Sequence, residues 1–341
     1  MRKHAILALL FGLWLMGWSD PSQGGIIKKG QVGFRFLEHP VSAEAVGRGT
    51  IGLAMTRNAN AVFWNPAGLG WIEQKVDFCM NYTNGIADIN HSSAALAFNL
   101  KNVGVVAFDA FLMDYGDLVG TRRAANDEGF EETGTFSPQN YCLGVSFSQR
   151  VSDRFSYGVR VKYVNEDLGD AWIATQGTDV TDSNLVIDEK EYGLSVPAFD
   201  VGVVYDFMYN SIRFAAVMQN FSREMRYENN KFPLPFAVSF SMTINPLSFL
   251  MPDLKEKDLL LAFETRHPRD FKERYKIGLE YLYKKTLTAR IGYMGNYDER
   301  GLTFGLGLVQ KYMNTRFRFD YAYQDNGIFN GVHVVSFGVM Y

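Results

Sequence analysis

The sequence is poor in the residues that build catalytic and metal centres. Of 341 residues, five are histidine and two are cysteine, Cys79 and Cys142. The two cysteines fall on the lumen side of strand-like segments placed well apart, and read as isolated small apolar side chains rather than a disulfide. HExxH, GxSxG and CxxC patterns are absent, which removes the usual signatures of zinc-protease, serine-hydrolase and dithiol chemistry. His39, His91, His267 and His333 are scattered, and His4 lies in a segment expected to be removed. A formal net charge of −3 leaves no basic footprint for nucleic acid. Neither an enzyme nor a cofactor is expected, and no residue is assigned to catalysis, a cofactor or a metal.

Long apolar runs are lacking too. The single candidate, Ala5 to Met16, is too short for a spanning helix. Arg2 and Lys3 precede it, and Gly17 and Ser19 stand three residues and one residue before a cleavage at Asp20. Residues 1–19 therefore read as a signal peptide. No cysteine follows, so it is not a lipoprotein signal. An exported chain without a spanning helix is periplasmic, secreted or an outer-membrane barrel. Mean hydropathy, −0.11, does not separate these, because a barrel's lumen and loops are polar.

What the chain does have is alternation. In Thr315 to Tyr323, Phe317, Phe319, Tyr321 and Tyr323 share one face of a strand, and Arg316, Arg318, Asp320 and Ala322 share the other. In water the aromatic face would be an aggregation-prone patch. Against a dry core the charged face would need partners. Lipid outside and a wet lumen inside satisfy both faces. About fourteen segments of this kind follow Val76, so the expected fold is all-β, a transmembrane antiparallel β-barrel with a small N-terminal plug.

The same alternation sets the expected lumen-facing charges: Arg160, Lys162, Arg213, Glu264, Lys276, Glu280, Arg290, Arg316, Arg318 and Asp320. An Arg or Lys facing lipid at mid-depth costs roughly 2–4 kcal/mol, which rules out the reverse orientation. Such charges either select a solute or, the more common case, pair with each other or with a plug. Short connections at Lys101-Asn102, Ser152-Asp153, Tyr209-Asn210, Lys284-Lys285 and around Lys311 alternate with longer polar stretches, Asp114–Asn140, Asp167–Leu194, Phe221–Pro235 and Arg266–Arg274. Tight periplasmic turns and long outer loops explain that rhythm, with both termini periplasmic. Pro246–Asp258 is one longer inner connection with room for a short helix. Val335, Phe337, Val339 and Tyr341 occupy every second position back from the end, the pattern that barrel-assembly machinery reads.

Residues 20–74 do not alternate and form the expected plug, before a barrel over 75–341. Val41 to Val46 reads as one or two helical turns ending at Gly47, and Arg57 to Trp64 as a short helix or strand. Gly47-Arg48-Gly49-Thr50-Ile51-Gly52 matches GxGxxG, but no strand precedes it and no helix clearly follows, so the glycines fit tight turns in a plug. Asn65, Pro66, Ala67 and Gly68 read as a capped turn that the glycines break.

Three stretches resemble the PorV/PorQ family, relatives of the FadL fatty-acid channels. The first runs from Phe36-Leu37 through Ser42-Ala43-Glu44-Ala45-Val46-Gly47-Arg48-Gly49 to Ala61-Val62-Phe63-Trp64-Asn65-Pro66-Ala67-Gly68-Leu69. The second is Tyr157 to Tyr163 followed by Ala198 to Tyr205. The third is Ile212-Arg213-Phe214 with Gln219-Asn220-Phe221 and Leu234-Pro235. The resemblance implies a plugged barrel of about fourteen strands in a Gram-negative-type outer membrane. It implies binding of secreted cargo or type IX secretion-system proteins, in secretion or surface attachment. The alternative it carries is a FadL-like passive channel for fatty acids or other hydrophobic ligands. A continuous apolar tunnel lined by Phe63 and Trp64 would favour transport; a blocked lumen with apolar outer loops would favour partner binding.

Overall fold

The computed structural model describes residues 30–124, 126–176, 186–250 and 257–341. The expected signal peptide and the start of the plug lie outside the described residues. Among the described residues no helix is long and apolar enough to cross a membrane; the crossing elements are strands. They are β1 (Val76–Asn84), β2 (Asn90–Asn99), β3 (Val105–Asp114), β6 (Gln139–Arg150), β7 (Phe155–Gln176), β8 (Val186–Asp206), β9 (Arg213–Ser222), β12 (Ala237–Ile244), β13 (Lys257–Pro268), β14 (Arg274–Tyr283), β15 (Leu287–Gly295), β16 (Leu302–Tyr312), β17 (Thr315–Asp325) and β18 (Gly331–Met340). Each pairs antiparallel with its neighbours, and β1 pairs with β18, closing a fourteen-stranded barrel. The numbers left out belong to two small ladders in the connections, β4 (Leu118–Arg123) with β5 (Phe130–Phe136) and β10 (Met225–Arg226) with β11 (Lys231–Phe232).

Burial along β17 is inverted relative to a protein folded in water. Phe319 and Tyr321 are 49% and 43% exposed, whereas Arg318 and Asp320 are 7% and 4% exposed. The outward rings continue onto the next strand: Phe319 faces Phe337 of β18 in register, with centroids 5.0 Å apart. A belt of Met80, Phe108, Leu143, Val161, Ile277, Phe304 and Leu306 carries the exposed apolar surface round the cylinder. Only hydrocarbon makes that belt favourable, so the barrel spans a membrane.

The two rims differ. One carries short turns, such as Lys284 and Lys285, both left-handed at φ 51° and 53° inside the turn that Thr286 N closes on Tyr283 O at 3.1 Å. A helical turn at Leu247–Leu250 occupies the longer connection at this rim. The other rim carries the long connections. The stretch 167–194, expected as a loop, differs: β7 and β8 stay paired well beyond the barrel, with Asp170 opposite Glu191 and Trp172 opposite Glu189. Alternation is weak there because both faces meet water, which is why the sequence reads as loop. The β4–β5 hairpin leans on this arm, with Arg122 5.3 Å above the Trp172 ring. The β9–β12 connection ties to it as well, since Tyr192 Oη donates to Glu228 Oε1 at 2.9 Å. Three connections thus raise a wall along one arc of the rim. The opposite arc is low, formed by residues 269–273, 296–301 and 326–330.

The described chain enters at this long-loop rim, where Gly33 N donates to Pro233 O at 3.2 Å. It descends through the lumen and joins β1 at the turn rim. Tyr341 ends at the turn rim, exchanging backbone hydrogen bonds with Val76 at 2.9 and 3.0 Å. Gly30 and Tyr341 therefore lie at opposite rims, while the N-terminus expected on the periplasmic side belongs to residues outside the described ones.

Candidate functional site

The lumen is filled by the plug. Its short elements are a 3-10 turn at Arg35–Glu38, helical turns at Ala43–Val46 and Ala61–Trp64, and a 3-10 helix at Pro66–Trp71. Asn65 caps the last one, its side chain accepting from Ala67 N at 3.0 Å, with Pro66 in the first turn. Gly68 and Gly70 do not break it as expected; the helix runs through both to Trp71, pressed against β6, β7 and β8. Ala43–Val46 packs on the far wall, against β16, β17 and β18. The plug thus bridges the barrel.

Close backbone approach seals these contacts. A Cβ on Gly158 of β7 would sit 2.4 Å from Pro66 C, and one on Gly292 of β15 would sit 2.0 Å from Gly49 N. The GxGxxG stretch is therefore a wall contact. Wall and plug glycines let two backbones touch without side chains between them.

The inward charges meet in compact groups. Arg160 lies between Asp109, which it contacts through two nitrogens, and Asp200 at 3.4 Å. Lys162 Nζ donates to both Asp200 oxygens at 2.8 Å and to Asn220. The plug's Phe63 ring lies 5.4 Å from the Arg160 guanidinium. On the other wall Arg290 donates to Glu280 and Asp320, each at 2.7 Å, and the plug's Arg48 reaches the same Glu280 oxygen at 2.7 Å. Arg318 lies 3.4 Å from Asp320 and 4.0 Å from Glu44 of the plug. Lys276 Nζ bridges Glu264 and the plug carbonyl of Thr50, both at 2.9 Å. Near the turn rim Arg213 and the plug's Arg57 share Asp206 at 2.9 and 3.0 Å. Arg316 stands apart, exposed at the turn rim.

Several pairs are direct cross-strand neighbours, Arg160 with Asp200, Glu264 with Lys276, and Glu280 with Arg290, so strand register sets them. Buried charges so paired gain little net stability but are costly to break. Glu44 illustrates the balance within the plug: burial pushes its carboxyl up, yet Arg318, Arg48 and Arg290 hold it below the ordinary value. Val335, Phe337, Val339 and Tyr341 stand on the face of β18 opposite its buried side chains, and Cys79 and Cys142 are buried and free.

Between plug and wall lies a vestibule of about 360 Å³ that reaches the low arc of the long-loop rim. Phe63 and Trp64 line it, but so do Arg160, Lys162, Glu264 and Lys276. It is a charged chamber with aromatic patches. Sequence reasoning missed the plug's charged and polar share in it, Arg35, Glu38 and His39, and the rim residues Arg274 and Arg300. Non-alternating segments give no signal of which way a side chain points.

The fold has solved counterparts. The Ralstonia pickettii toluene transporter TbuX matches with TM-score 0.53 at 13% identity, covering 87% of this chain and 96% of that one. The Pseudomonas putida toluene transporter TodX gives 0.54 at 10% identity, covering 86% and 96%. The CymD monoaromatic hydrocarbon channel gives 0.51 at 11% identity, covering 88% and 96%. At such identities the likeness is one of fold. No curated protein sequence matches the chain. The family model for the type IX secretion system protein PorV matches residues 29–232, from the plug through the β9–β12 connection. This plugged outer-membrane barrel belongs to the PorV family.

Proposed function

We propose that the protein is a non-enzymatic binding protein of the outer membrane, presenting its long-loop rim to secreted cargo or secretion-system partners. The observation that carries this reading is the lumen. The plug touches both walls backbone to backbone, and the space beside it mixes charged side chains such as Arg160, Lys162, Glu264 and Lys276 with apolar ones rather than offering a purely apolar lining. The inward charges act as latches holding the plug, with Arg48–Glu280 and Lys276–Thr50 joining plug to wall. Hydrophobic-solute passage, which the hydrocarbon channels' names would carry over, would have to cross that charged lining.

The rim supplies the binding face. Leu118, Val119, Phe130 and Leu168 on the raised wall, and Ile328 and Phe329 on the low arc, are exposed large apolar side chains beyond the membrane belt. The raised wall gives a partner a lateral support. In this reading the turn rim with Tyr341 faces the periplasm and the long connections face outward. Outer-membrane lipid surrounds the belt, and barrel-assembly machinery handles the C-terminal strand.

Affinity isolation of the tagged protein from outer membranes in mild detergent tests this, using wild type and an Ile328→Asp, Phe329→Asp variant. Secretion-system proteins or exported cargo are expected with wild type and reduced with the variant. Isolation of the protein alone, together with hydrophobic-solute flux through liposomes that contain it, would overturn the reading in favour of a channel.

A further inference from the structure

The low arc of the rim gathers more positive charge than it neutralises. Arg35, Arg266, Arg274 and Arg300 all line the vestibule there. Arg35 is matched, lying against Asp270 and 3.0 Å from Glu38. Arg266 lies 3.5 Å from Glu38 and donates to Gln219 at 2.8 Å. Deeper in the chamber Arg160, Lys162 and Lys276 have the carboxylates already described. Arg274 and Arg300 have none: among the described residues no carboxylate makes an ion pair with either. The acids nearby do not pair with them. Glu38 serves two arginines, Asp298 has a contact of its own, and the Glu299 carboxylate leans toward Gly327, 2.7 Å from where a Cβ there would stand.

Aromatic rings hold the surplus charge in place. Arg274 lies 4.2 Å from the centre of the Phe271 ring and 4.5 Å from that of Tyr297. Arg35 lies 4.9 Å from the same Phe271 ring. Two guanidiniums thus share one ring, an arrangement that their mutual repulsion opposes. A guanidinium stacked on a ring keeps the N–H groups of its edge free for two oxygens of an oxyanion. The Arg274 Nε is buried and has no hydrogen-bond partner. Arg300 is half-buried, and loss of water together with the neighbouring charges of Arg274 and Arg35 lowers its hold on its proton. His39, near Arg300, is held neutral and so adds no further positive charge.

We propose that Arg274 and Arg300 form a binding site for a phosphate-type oxyanion, either free or carried on a small headgroup. Bidentate hydrogen bonds from the two guanidiniums would receive it, with Arg35 adding long-range attraction. Phe271, Tyr297 and Phe36 would border whatever small group it carries. About 360 Å³ admits a phosphate with such a substituent but no folded segment. The site requires neither the partner-binding role nor a transport path.

The test is calorimetric titration of the full-length protein in non-ionic detergent with inorganic phosphate and, separately, with dihexanoyl phosphatidic acid below its micellar concentration. One-site binding by wild type is expected. Affinity should fall by about tenfold or more in Arg274→Gln or Arg300→Gln, the loss of a charge-assisted hydrogen bond. Arg274→Lys and Arg300→Lys, which keep the charge and lose the fork, should fall in between. Thermal unfolding of each variant reports retained structure, and the Lys variants carry the comparison if a Gln variant does not fold. Binding of inorganic phosphate assigns a free anion; binding of the lipid alone assigns a headgroup. Absence of binding by both probes, or equal binding by wild type and variants, would overturn the site.

Discussion

Arg48 of the plug and Glu280 of β14 meet at 2.7 Å inside the barrel, and Arg290 uses the same carboxylate oxygen. One wall residue thereby holds both a neighbouring strand and the plug. Glu280→Leu should cost about 3–5 kcal/mol, because two buried guanidiniums lose a shared acceptor. Adding Arg48→Met should cost less than the sum of the separate effects, as expected for residues in contact. Urea unfolding of the four proteins in detergent gives the coupling energy; additive costs would show that the pair is not a unit.

Gly292 faces the plug backbone with no room for a methyl group. Gly292→Ala should destabilise by about 1–3 kcal/mol, since the nearest atoms are backbone and cannot rotate away. The plug should also become easier to displace. Single-channel conductance checks this: rare openings in wild type should become frequent in the variant, and an unchanged record would mean that the plug yields without leaving the lumen.

His39 gives the plug a pH dependence. Burial, with the nearby charges of His91, Arg300 and Arg35, lowers its pKa from 6.5 to about 3. The folded state thus disfavours the proton that the unfolded chain accepts. The stability gained by keeping His39 neutral is complete above pH 6.5 and is lost as pH falls toward 3. Glu44, held low, adds a loss in the same direction that begins only near its ordinary value of 4.5. His39→Gln should flatten the decline in thermal midpoint between pH 6.5 and 4.5 and leave the steeper fall below it. An unaltered profile would place the acid sensitivity elsewhere.

Tyr341 closes the barrel with its backbone, while its ring is exposed and 5.9 Å from Lys75 Nζ. Tyr341→Ala keeps those hydrogen bonds, so the stability of protein refolded in detergent should change by no more than roughly 0.5 kcal/mol. Insertion in cells should fall several-fold if the terminal aromatic is read during assembly. Comparing membrane-inserted yield with in vitro stability separates the two effects; parallel losses in both would make the residue structural.

The barrel was legible in the sequence because its cause is local. Phe319 and Tyr321 against Arg318 and Asp320 already state lipid on one side and a polar interior on the other, and the count of such segments gives the strand number. The β7–β8 arm was not legible, because a ladder wetted on both faces needs no alternation. Nor was the vestibule, since Arg274 only opens β14 at the rim and Arg300 lies in a connection, where no period says which way a side chain points.

By itself, the sequence determined which residues face hydrocarbon, through a period of two that each strand carries within its own few residues. Tertiary structure decided what each inward charge meets. Arg160 finds Asp200 through strand register, and Glu280 finds Arg48 through a plug residue more than two hundred positions away. Such encounters are fixed only when the cylinder closes and the plug enters it, because nothing in a charged side chain's own neighbourhood names its partner.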